Sequence, residues 1–356
     1  MDRNLSSSIG NRLPLVSVIV TNYNHGRFLR RRMESILAQT YNRFEVIYID
    51  DGSTDESGEA IEPFRADRRL RCFESERNSG SPFIPLNRGV RMARGELIWV
   101  AEADDYADAR FLETLVGVVM KNPSVGVAYC QSNQIDENGT FLSTVDYCSL
   151  TKDERWQSGF VNSGIEECRR YLLYRNTIPN FSAVVFRKDL FERIGFADET
   201  MRLSGDWLVW IKMLMLGDIA FVAEPLNYYR QHAAHGASLR RRVDIVSHAS
   251  ELYRVADYCR NHLPFGETEW DVMLTRIMKF WLRRCLEKRP ADRRFGDFMR
   301  LCKVARGADP RFLSRLLWCL ADRVSFGLTL RARSRLGLGA LTCPPPAGAH
   351  LPPERC

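Results

Sequence analysis

Short apolar runs alternate with segments of helical spacing over the first 130 residues of the chain. Val16–Val20 and Phe44–Ile49 are apolar runs, whereas apolar side chains in 27–38 recur three and four residues apart. Apolar strands that alternate with helices are typical of a parallel sheet covered on both faces. The pattern therefore predicts an α/β fold. Further predicted strands are Leu70–Phe73, Leu97–Val100, Val125–Tyr129, Ser182–Phe186, Phe221–Ala223 and Leu226–Arg230, and further predicted helices are Ser57–Arg65, Leu86–Ala93, Ala109–Met120 and Asp206–Leu216.

Polar side chains collect where three of the predicted strands end. Thr21–Asn24 follows the first strand, Asp50–Ser53 follows the second, and Glu102–Asp105 follows Leu97–Val100. Ligands bind beyond the carboxyl ends of the strands in such sheets, and adjacent carboxylates suit a hard divalent metal that carries phosphates. The three clusters together predict a ligand site, although each alone also fits a turn or a helix cap.

The chain contains neither G-x-G-x-x-G nor G-x-x-x-x-G-K-[ST], the glycine-rich motifs that hold phosphates at a helix start. A metal on Asp104 and Asp105 could hold the phosphates instead. Asp51 could accept a hydrogen bond from a base and Tyr23 could stack on it, but both residues equally fit a turn and a packed loop aromatic.

The charge of the chain is uneven along its 356 residues. Residues 270–340 hold 17 Lys and Arg against 6 Asp and Glu, whereas the whole chain has a net charge of +7. These basic residues alternate with apolar and aromatic ones, a pattern that suits an anionic membrane surface or, equally, a helical subdomain with a basic solvated face. Nucleic-acid binding is not expected because no nucleic-acid motif accompanies the charge.

The remaining composition indicates an ordinary globular protein with 45% hydrophobic residues. No uncharged apolar run approaches the roughly 20 residues of a membrane-spanning helix, and the N-terminal segment does not have the pattern of a signal peptide. The ten cysteines have no metal-ligand spacing, which favours reduced thiols. The predicted location is the cytoplasm, with peripheral attachment at the inner face of the cell membrane left open.

Seven motifs follow one another along the chain: Val16–Asn24, Ser35–Tyr41, Phe44–Asp55, Asn78-x-Gly80, Asn87-x-Gly89, Gly95–Ile98 and Ala101–Tyr106. In this order they resemble family 2 glycosyltransferases, and the resemblance covers about residues 14–232. The resemblance implies a GT-A fold, with a mixed, mostly parallel sheet flanked by helices, and an inverting transfer of sugar from a nucleotide-diphosphate donor, usually UDP- or dTDP-linked. The Q-x-x-R-W motif of processive synthases is absent, which favours transfer of a single sugar.

The resemblance implies roles for the polar residues at the strand ends. Thr21, Tyr23 and Asp51 match positions that line the pyrimidine base. Asp104 and Asp105 match the acidic pair that binds the ribose and a Mg²⁺ or Mn²⁺ ion on the diphosphate.

Two later motifs carry the rest of the assignment. Gly205-Asp206-Trp207 matches the motif of the catalytic base, so Asp206 would take the proton of the acceptor hydroxyl, although alone it also fits a helix N-cap. Family members often have an acidic residue where this chain has Gly205. His232 lies in a segment that resembles the end of this domain in many family members. We expect it either to lie near the diphosphate or to be a structural histidine. Glu102 flanks the acidic pair and receives no role.

The predicted function is metal-dependent transfer to a glycan or lipid-linked acceptor in surface polysaccharide biosynthesis. One alternative, which Gly205 supports slightly, is a catalytically impaired subunit of a glycan assembly complex that binds a sugar nucleotide. Another is a nucleotidyltransferase, which would need a glycine-rich, lysine-bearing loop that Thr21–Gly26 does not provide.

Four regions make up the predicted organisation of the chain. The glycosyltransferase domain is predicted to have a nucleotide-sugar-binding half, 14–130, and an acceptor-binding and catalytic half, 131–235. The other regions are an N-terminal tail, 1–13, a basic helical region, 236–340, and a disordered proline-rich tail, 341–356.

Overall fold

A computed structural model describes most of the chain. The tail predicted over 341–356, nearly all of the tail over 1–13 and part of the region over 236–340 lie outside the described residues. The described residues are 13–178, 180–232, 245–264, 266–285 and 291–322, without the side chains of 291–294.

The chain divides into two compact units, so that the residues predicted as the acceptor-binding half contribute to both. Within the described residues, the first unit comprises 13–145, 158–164, 178 and 180–232, and the second comprises 146–157, 165–177, 245–264, 266–285 and 291–322.

One mixed sheet forms the centre of the first unit. Its order is β3-β2-β1-β4-β9-β6-β10-β5, with β7 paired to β6 and β8 paired to β10. The strands are β1 (Val16–Asn22), β2 (Phe44–Asp50), β3 (Leu70–Glu74), β4 (Leu97–Val100), β5 (Tyr106–Ala107), β6 (Val125–Ile135), β7 (Phe141–Thr144), β8 (Phe160–Asn162), β9 (Val184–Arg187) and β10 (Asp218–Arg230).

The helices are numbered along the chain through both units. Those of the first unit are α1 (Gly26–Leu37), α2 (Ser57–Ile61), α3 (Phe83–Met92), α4 (Phe111–Lys121), α7 (Lys188–Arg193) and α8 (Gly205–Leu214). The others are α5 (Tyr147–Thr151), α6 (Gly164–Glu167), α9 (Ile245–His262), α10 (Glu267–Cys285), α11 (Ala291–Ala308) and α12 (312–322).

Helices cover both faces of β1, which explains why most side chains of this strand are apolar. Val18 packs in one core cluster with Leu29 of α1 and Leu112 of α4. On the opposite face, a Cβ added to Gly89 of α3 would lie 2.4 Å from Ile19, so the helix backbone rests directly on the strand. The predicted α/β class, a mixed sheet flanked by helices with a helical C-terminal region, is confirmed.

The sheet order brings distant segments to one edge. The strands β1, β2 and β4 are parallel, so their carboxyl ends lie together. Because β9 runs antiparallel to both β4 and β6, and β10 runs parallel to β6, the carboxyl end of β10 reaches the same edge. The start of β9 lies there too.

The structure corrects some predicted element bounds. The predicted strands Phe221–Ala223 and Leu226–Arg230 form one strand, β10, because shifts of its register with β6 on either side of Pro225 accommodate the proline, which has no N–H. The predicted helix Ser57–Arg65 is divided into α2 and a 3₁₀ turn, Glu62–Phe64, with a proline near its start. Strand β6 extends beyond its predicted end at Tyr129.

Long helices with an apolar interior form most of the described part of the second unit. The indole N–H of Trp281 donates to Tyr253 Oη at 3.1 Å. A buried charge cluster joins α10 to α12, with Arg315 2.7 Å from Asp309 and 2.8 Å from Asp271. None of the helices in the described ranges is long and apolar enough to cross a membrane. The eight cysteines that the structure describes are free thiols.

Candidate active site

The loop after β4 carries three acidic residues, Glu102, Asp104 and Asp105, and is held from two sides. The backbone N–H of Ala101 donates to the carbonyl of Ile19 in β1 at 2.8 Å. The backbone N–H of Glu102 donates to the hydroxyl of Ser182, just before β9, at 3.2 Å. The loop therefore leaves the sheet in a defined direction. We call Glu102–Asp105 the acidic loop.

Asp104 lies against two histidines. Its Oδ2 is 2.7 Å from Nε2 of His232, and the donor atoms of His25, Asp104 and His232 all lie within 4.8 Å of one another. Burial acts to raise the pKa of Asp104, but its hydrogen bond with His232 and the charge of His25 bring the pKa below its ordinary value. An ionised carboxylate beside two imidazoles is a donor set that can hold a divalent metal.

Asp105 is 2% exposed. Its Oδ1 accepts a hydrogen bond from the backbone N–H of Arg230 at 2.8 Å, and its Oδ2 is buried without a partner in the described part of the chain. Burial and the charge of Asp104 raise the pKa of Asp105 to about 7. Asp105 lies outside the group of three metal-donor atoms, and its predicted role as a metal ligand stays a prediction.

Arg230 connects the acidic loop to its surroundings. Its Nε donates to the carbonyl of Asp104 at 2.7 Å, and its Nη1 donates to the carbonyls of Asp136 and Glu137 at 2.6 and 2.9 Å. Its guanidinium lies 4.3 Å from the ring centroid of Phe28. Because His232 follows two residues later, these contacts also fix the approach of that histidine to Asp104.

Asp206 lies in the first turn of α8, and its charge reaches the acidic loop. Burial, then the charges of Asp105 and Asp104, raise the pKa of Glu102 well above its ordinary value, and the charge of Asp206 adds to this effect. The structure thus brings Asp206, predicted as the base, towards the acidic residues predicted to hold the diphosphate.

Gly205 is required by a close contact. A Cβ built on Gly205 would lie 2.4 Å from Cε2 of Phe83 and 3.1 Å from Cβ of Met201. The start of α8 therefore packs directly against the start of α3. The Phe83 ring occupies the space that any side chain at position 205 would need, which explains the absence of an acidic residue there.

Asp51 lies at another part of the same sheet edge. Its Oδ2 accepts hydrogen bonds from the backbone N–H and hydroxyl of Ser79, at 3.0 and 2.8 Å, and from Asn78 Nδ2 at 3.0 Å. A cavity of about 550 Å³ borders Asp51 and Arg77. Thr21 is partly buried and Tyr23 is 46% exposed, and neither lines this cavity.

The sequence prediction missed several residues of this site. His25 lies in the polar segment after β1, and its position at a strand end is the only signal in the sequence. Glu102 belongs to the predicted polar cluster Glu102–Asp105 but received no role of its own. Arg32 and Ser182 are buried in α1 and before β9 and have no local signal that connects them to the acidic loop.

A known protein family matches half of this chain: residues 17–195 match the sequence model of Glycosyl transferase family 2. The chain belongs to glycosyl transferase family 2. This family 2 glycosyltransferase is 29% identical to the glycosyltransferase GlyG of Streptococcus pneumoniae in an alignment of 232 residues. The alignment covers 65% of this chain and 75% of GlyG. The chain is also 29% identical to a glycosyltransferase of Nostoc sp. in an alignment of 224 residues. That alignment covers 62% of this chain and 66% of the Nostoc protein.

Solved structures share the fold of this family 2 glycosyltransferase. TarS 1–349 of S. aureus, in complex with UDP-GlcNAc, superposes with a TM-score of 0.66 at 18% identity. The superposition covers 92% of this chain and 93% of the TarS chain. The mannosyltransferase PcManGT of Pyrobaculum calidifontis, in complex with GDP-Man and Mn²⁺, superposes with a TM-score of 0.51 at 18% identity. The superposition covers 92% of this chain and 84% of the PcManGT chain. At these identities the likeness establishes the fold, and the predicted GT-A fold is confirmed.

We expect Gly205→Ala to lower the free energy of unfolding by about 1–3 kcal/mol, because the added methyl group overlaps Phe83. Phe83→Leu in the same chain should recover part of this loss, so that the two effects are not additive. Denaturant unfolding measures both. The matched control is Gly117→Ala in α4, where an added Cβ has no neighbour within 4 Å; an unchanged stability of the Gly205 variant would contradict the contact.

Proposed function

We propose that the protein transfers a single sugar, with inversion and with the aid of a divalent metal, from a nucleotide-diphosphate donor to a hydroxyl group. The observation that carries the proposal is the group of donor atoms that His25, Asp104 and His232 form at the loop after β4, with the charge of Asp206 acting on Glu102 of the same loop. This arrangement offers one set of residues for a metal diphosphate and a separate carboxylate for proton transfer, as an in-line displacement requires.

The donor is proposed to be a UDP- or dTDP-sugar. The Asp51 carboxylate borders the cavity of about 550 Å³ and offers an acceptor for a base N–H. Thr21 and Tyr23 are proposed to line the base as well, because they match the family motif. The complexes of TarS with UDP-GlcNAc and of PcManGT with GDP-Man support a sugar nucleotide as the class of donor.

The proposed metal ligands in the described residues are His25, Asp104 and His232. The donor set fits Mn²⁺ better than Mg²⁺, because Mg²⁺ prefers oxygen ligands in an octahedral arrangement, whereas imidazole nitrogen suits transition metals. When bound, the ion would neutralise the charge that develops on the departing diphosphate. The Mn²⁺ complex of PcManGT supports this choice of ion.

Asp206 is proposed as the general base. It lies at the N-terminal end of α8, and its charge acts on Glu102 of the acidic loop. In the proposed reaction Asp206 accepts the proton of the acceptor hydroxyl while that oxygen attacks the anomeric carbon. The sugar–phosphate bond breaks in the same step.

The catalytically impaired alternative loses its support. It depended on Gly205 in place of an acidic residue, and the contact with Phe83 gives that glycine a packing reason. Asp104 and Asp206 are both retained at the sheet edge, so the chain keeps the carboxylates that the transfer needs.

The acceptor is proposed to be a glycan or lipid-linked molecule of a surface polysaccharide, reached at the cytoplasmic face of the membrane. One face of α12 exposes Leu313, Leu317 and Trp318, at 64%, 68% and 54%. The sequence that follows, 323–353, has four arginines and no acidic residue. Apolar and aromatic side chains next to basic sequence suit the surface of an anionic membrane.

Asp206→Asn is expected to lower the turnover number by about 10²–10⁴-fold while donor affinity changes little, since the amide cannot accept the proton. Assays with a set of UDP- and dTDP-sugars and candidate acceptors measure both quantities. Asp189→Asn, at an exposed aspartate of α7, is the control. Full turnover in the Asp206 variant would contradict its role as the base.

Removal of metal is expected to abolish transfer, and added Mn²⁺ should restore it better than Mg²⁺. His25→Ala and His232→Ala should each weaken Mn²⁺ binding at least about tenfold, because each removes a donor atom. Isothermal titration with Mn²⁺ measures this, with His262→Ala, on an exposed face of α9, as the control. Full activity in EDTA, or unchanged Mn²⁺ affinity in both variants, would exclude the proposed metal site.

The pair of changes Leu313→Ser and Leu317→Ser is expected to reduce binding to anionic vesicles at least about tenfold, because both leucines would leave the interface. Co-sedimentation with vesicles of anionic and of neutral lipids measures the bound fraction. Leu216→Ser, at an exposed leucine of the first unit, is the control. Equal binding by the wild type to both kinds of vesicle, or no loss in the double variant, would exclude this surface.

A further inference from the structure

We infer that Asn87 is a positioning residue for Asp206: its side-chain amide anchors the chain that leads into α8 and so fixes the place where the helix of the proposed base begins. Asn87 opens the second of the two Asn-x-Gly motifs in the sequence, a motif that the proposed function leaves without a role. The inference rests on the proposed function only through the role of Asp206, and its first test needs no activity.

The amide of Asn87 binds both backbone groups of Ala197. Nδ2 donates to the carbonyl of Ala197 at 2.9 Å, and Oδ1 accepts the backbone N–H of the same residue at 3.0 Å. Nδ2 also donates to Glu199 Oε1 at 3.0 Å. Asn87 is only 1% exposed. Because a buried donor or acceptor is costly to leave unpaired, an apolar side chain at position 87 would weaken the hold on this part of the chain.

The chain reaches Ala197 through a conformation that needs support. Phe196 has a φ of +67°, in the left-handed region that a bulky side chain rarely adopts. A residue keeps such a conformation only where its surroundings hold it. The guanidinium of Arg91, one turn after Asn87 in α3, lies 4.3 Å from the centroid of the Phe196 ring. Arg91 therefore covers the ring, and Asn87 holds the residue that follows it.

Two further contacts join the start of α3 to the chain before α8. The hydroxyl of Ser81 donates to the carbonyl of Met201 at 3.1 Å. The ring of Phe83 lies so close to Gly205 that an added Cβ would be 2.4 Å from it. With the contact of Asn87, α3 and the residues just before it hold this chain at three points, the last of them directly before the proposed base.

The donor side of the site depends on other residues. Asp51 accepts its hydrogen bonds from Asn78 and Ser79, which precede α3. Asn87 is in the second turn of α3 and binds the chain before α8 instead. Positioning and a general loosening of the fold therefore predict different kinetics. Loss of the anchor should lower kcat and leave the KM of the donor unchanged, whereas a loosened fold should affect both.

The first test is hydrogen exchange on the full chain, without substrate or metal. In Asn87→Ala, peptides that cover 197–205 should exchange at least about tenfold faster than in the wild type, while peptides of β1 stay unchanged. The matched control is Asn122→Ala, since Asn122 Nδ2 also donates to a backbone carbonyl, that of Val118 at 2.8 Å, but at the end of α4. Unchanged exchange over 197–205, or equal acceleration in the control, would overturn the anchor.

Ser81→Ala covers the case in which Asn87→Ala does not fold, because it removes only the hydrogen bond to Met201. Exchange over 197–205 should then rise by about threefold or more. If Asn87→Ala fails to fold and Ser81→Ala leaves the exchange of this segment unchanged, the anchor is overturned.

The second test is a double-mutant cycle in turnover, measured with the UDP- or dTDP-sugar that the wild type uses. Asn87→Ala should lower kcat about 10–100-fold, with the donor KM within about twofold of the wild type, because a base displaced by about 1 Å is poorly aligned. In the Asp206→Asn background, Asn87→Ala should change kcat by less than about threefold, since the group that it positions is already lost.

The same loss of kcat in both backgrounds would overturn the action of Asn87 through Asp206. So would a donor KM that rises as much as kcat falls. A wild type that transfers no sugar, or an Asp206→Asn variant with full turnover, defeats the proposed function, and the exchange experiment then decides the anchor by itself.

Discussion

Repulsion among carboxylates at one edge of the sheet is the constraint that the surrounding structure has to meet. Burial, followed by the charge of Asp104, raises the pKa of Asp105 to about 7, and burial with the charges of Asp105, Asp104 and Asp206 raises the pKa of Glu102. A protein interior tolerates such a group only where opposite charges and hydrogen bonds offset it. The chain supplies these from distant segments, which explains why the topology of the sheet matters for the site.

Two neighbouring aspartates divide the tasks because they face different surroundings. Asp104 lies against His232 and has a lowered pKa, whereas Asp105 is buried and is held by the backbone of Arg230. A pair of adjacent acidic residues in a sequence suggests two equivalent metal ligands. In the structure, Asp104 belongs to the group of three metal-donor atoms, whereas Asp105 accepts a hydrogen bond from the backbone of Arg230, a difference that depends on side-chain direction and not on residue type.

The sequence predicted the fold well because its signals are local. Both faces of β1 are apolar, the helices have regular spacing, and the three polar clusters follow the strands whose carboxyl ends share one edge. The same signals could not identify Arg32 or Ser182. An arginine in an amphipathic helix is normally exposed, and only the pairing of β4 with β9 brings Ser182 beneath the acidic loop. His25 is a different case, since it follows β1 and approaches Asp104 through the pairing of β1 with β4.

Gly205 directly precedes Asp206, the proposed base. The family motif alone does not explain why a glycine stands there, whereas the packing of α8 does. From the sequence, Gly205 in place of an acidic residue suggests a loss of function. In the structure, the Phe83 ring fills the space beside it, so the helix that carries Asp206 begins in direct contact with α3. An acidic side chain there would add a further negative charge to an already crowded edge as well as a steric conflict. The glycine therefore leaves one carboxylate fewer at the site while it fixes the start of α8, the helix that carries the proposed base Asp206.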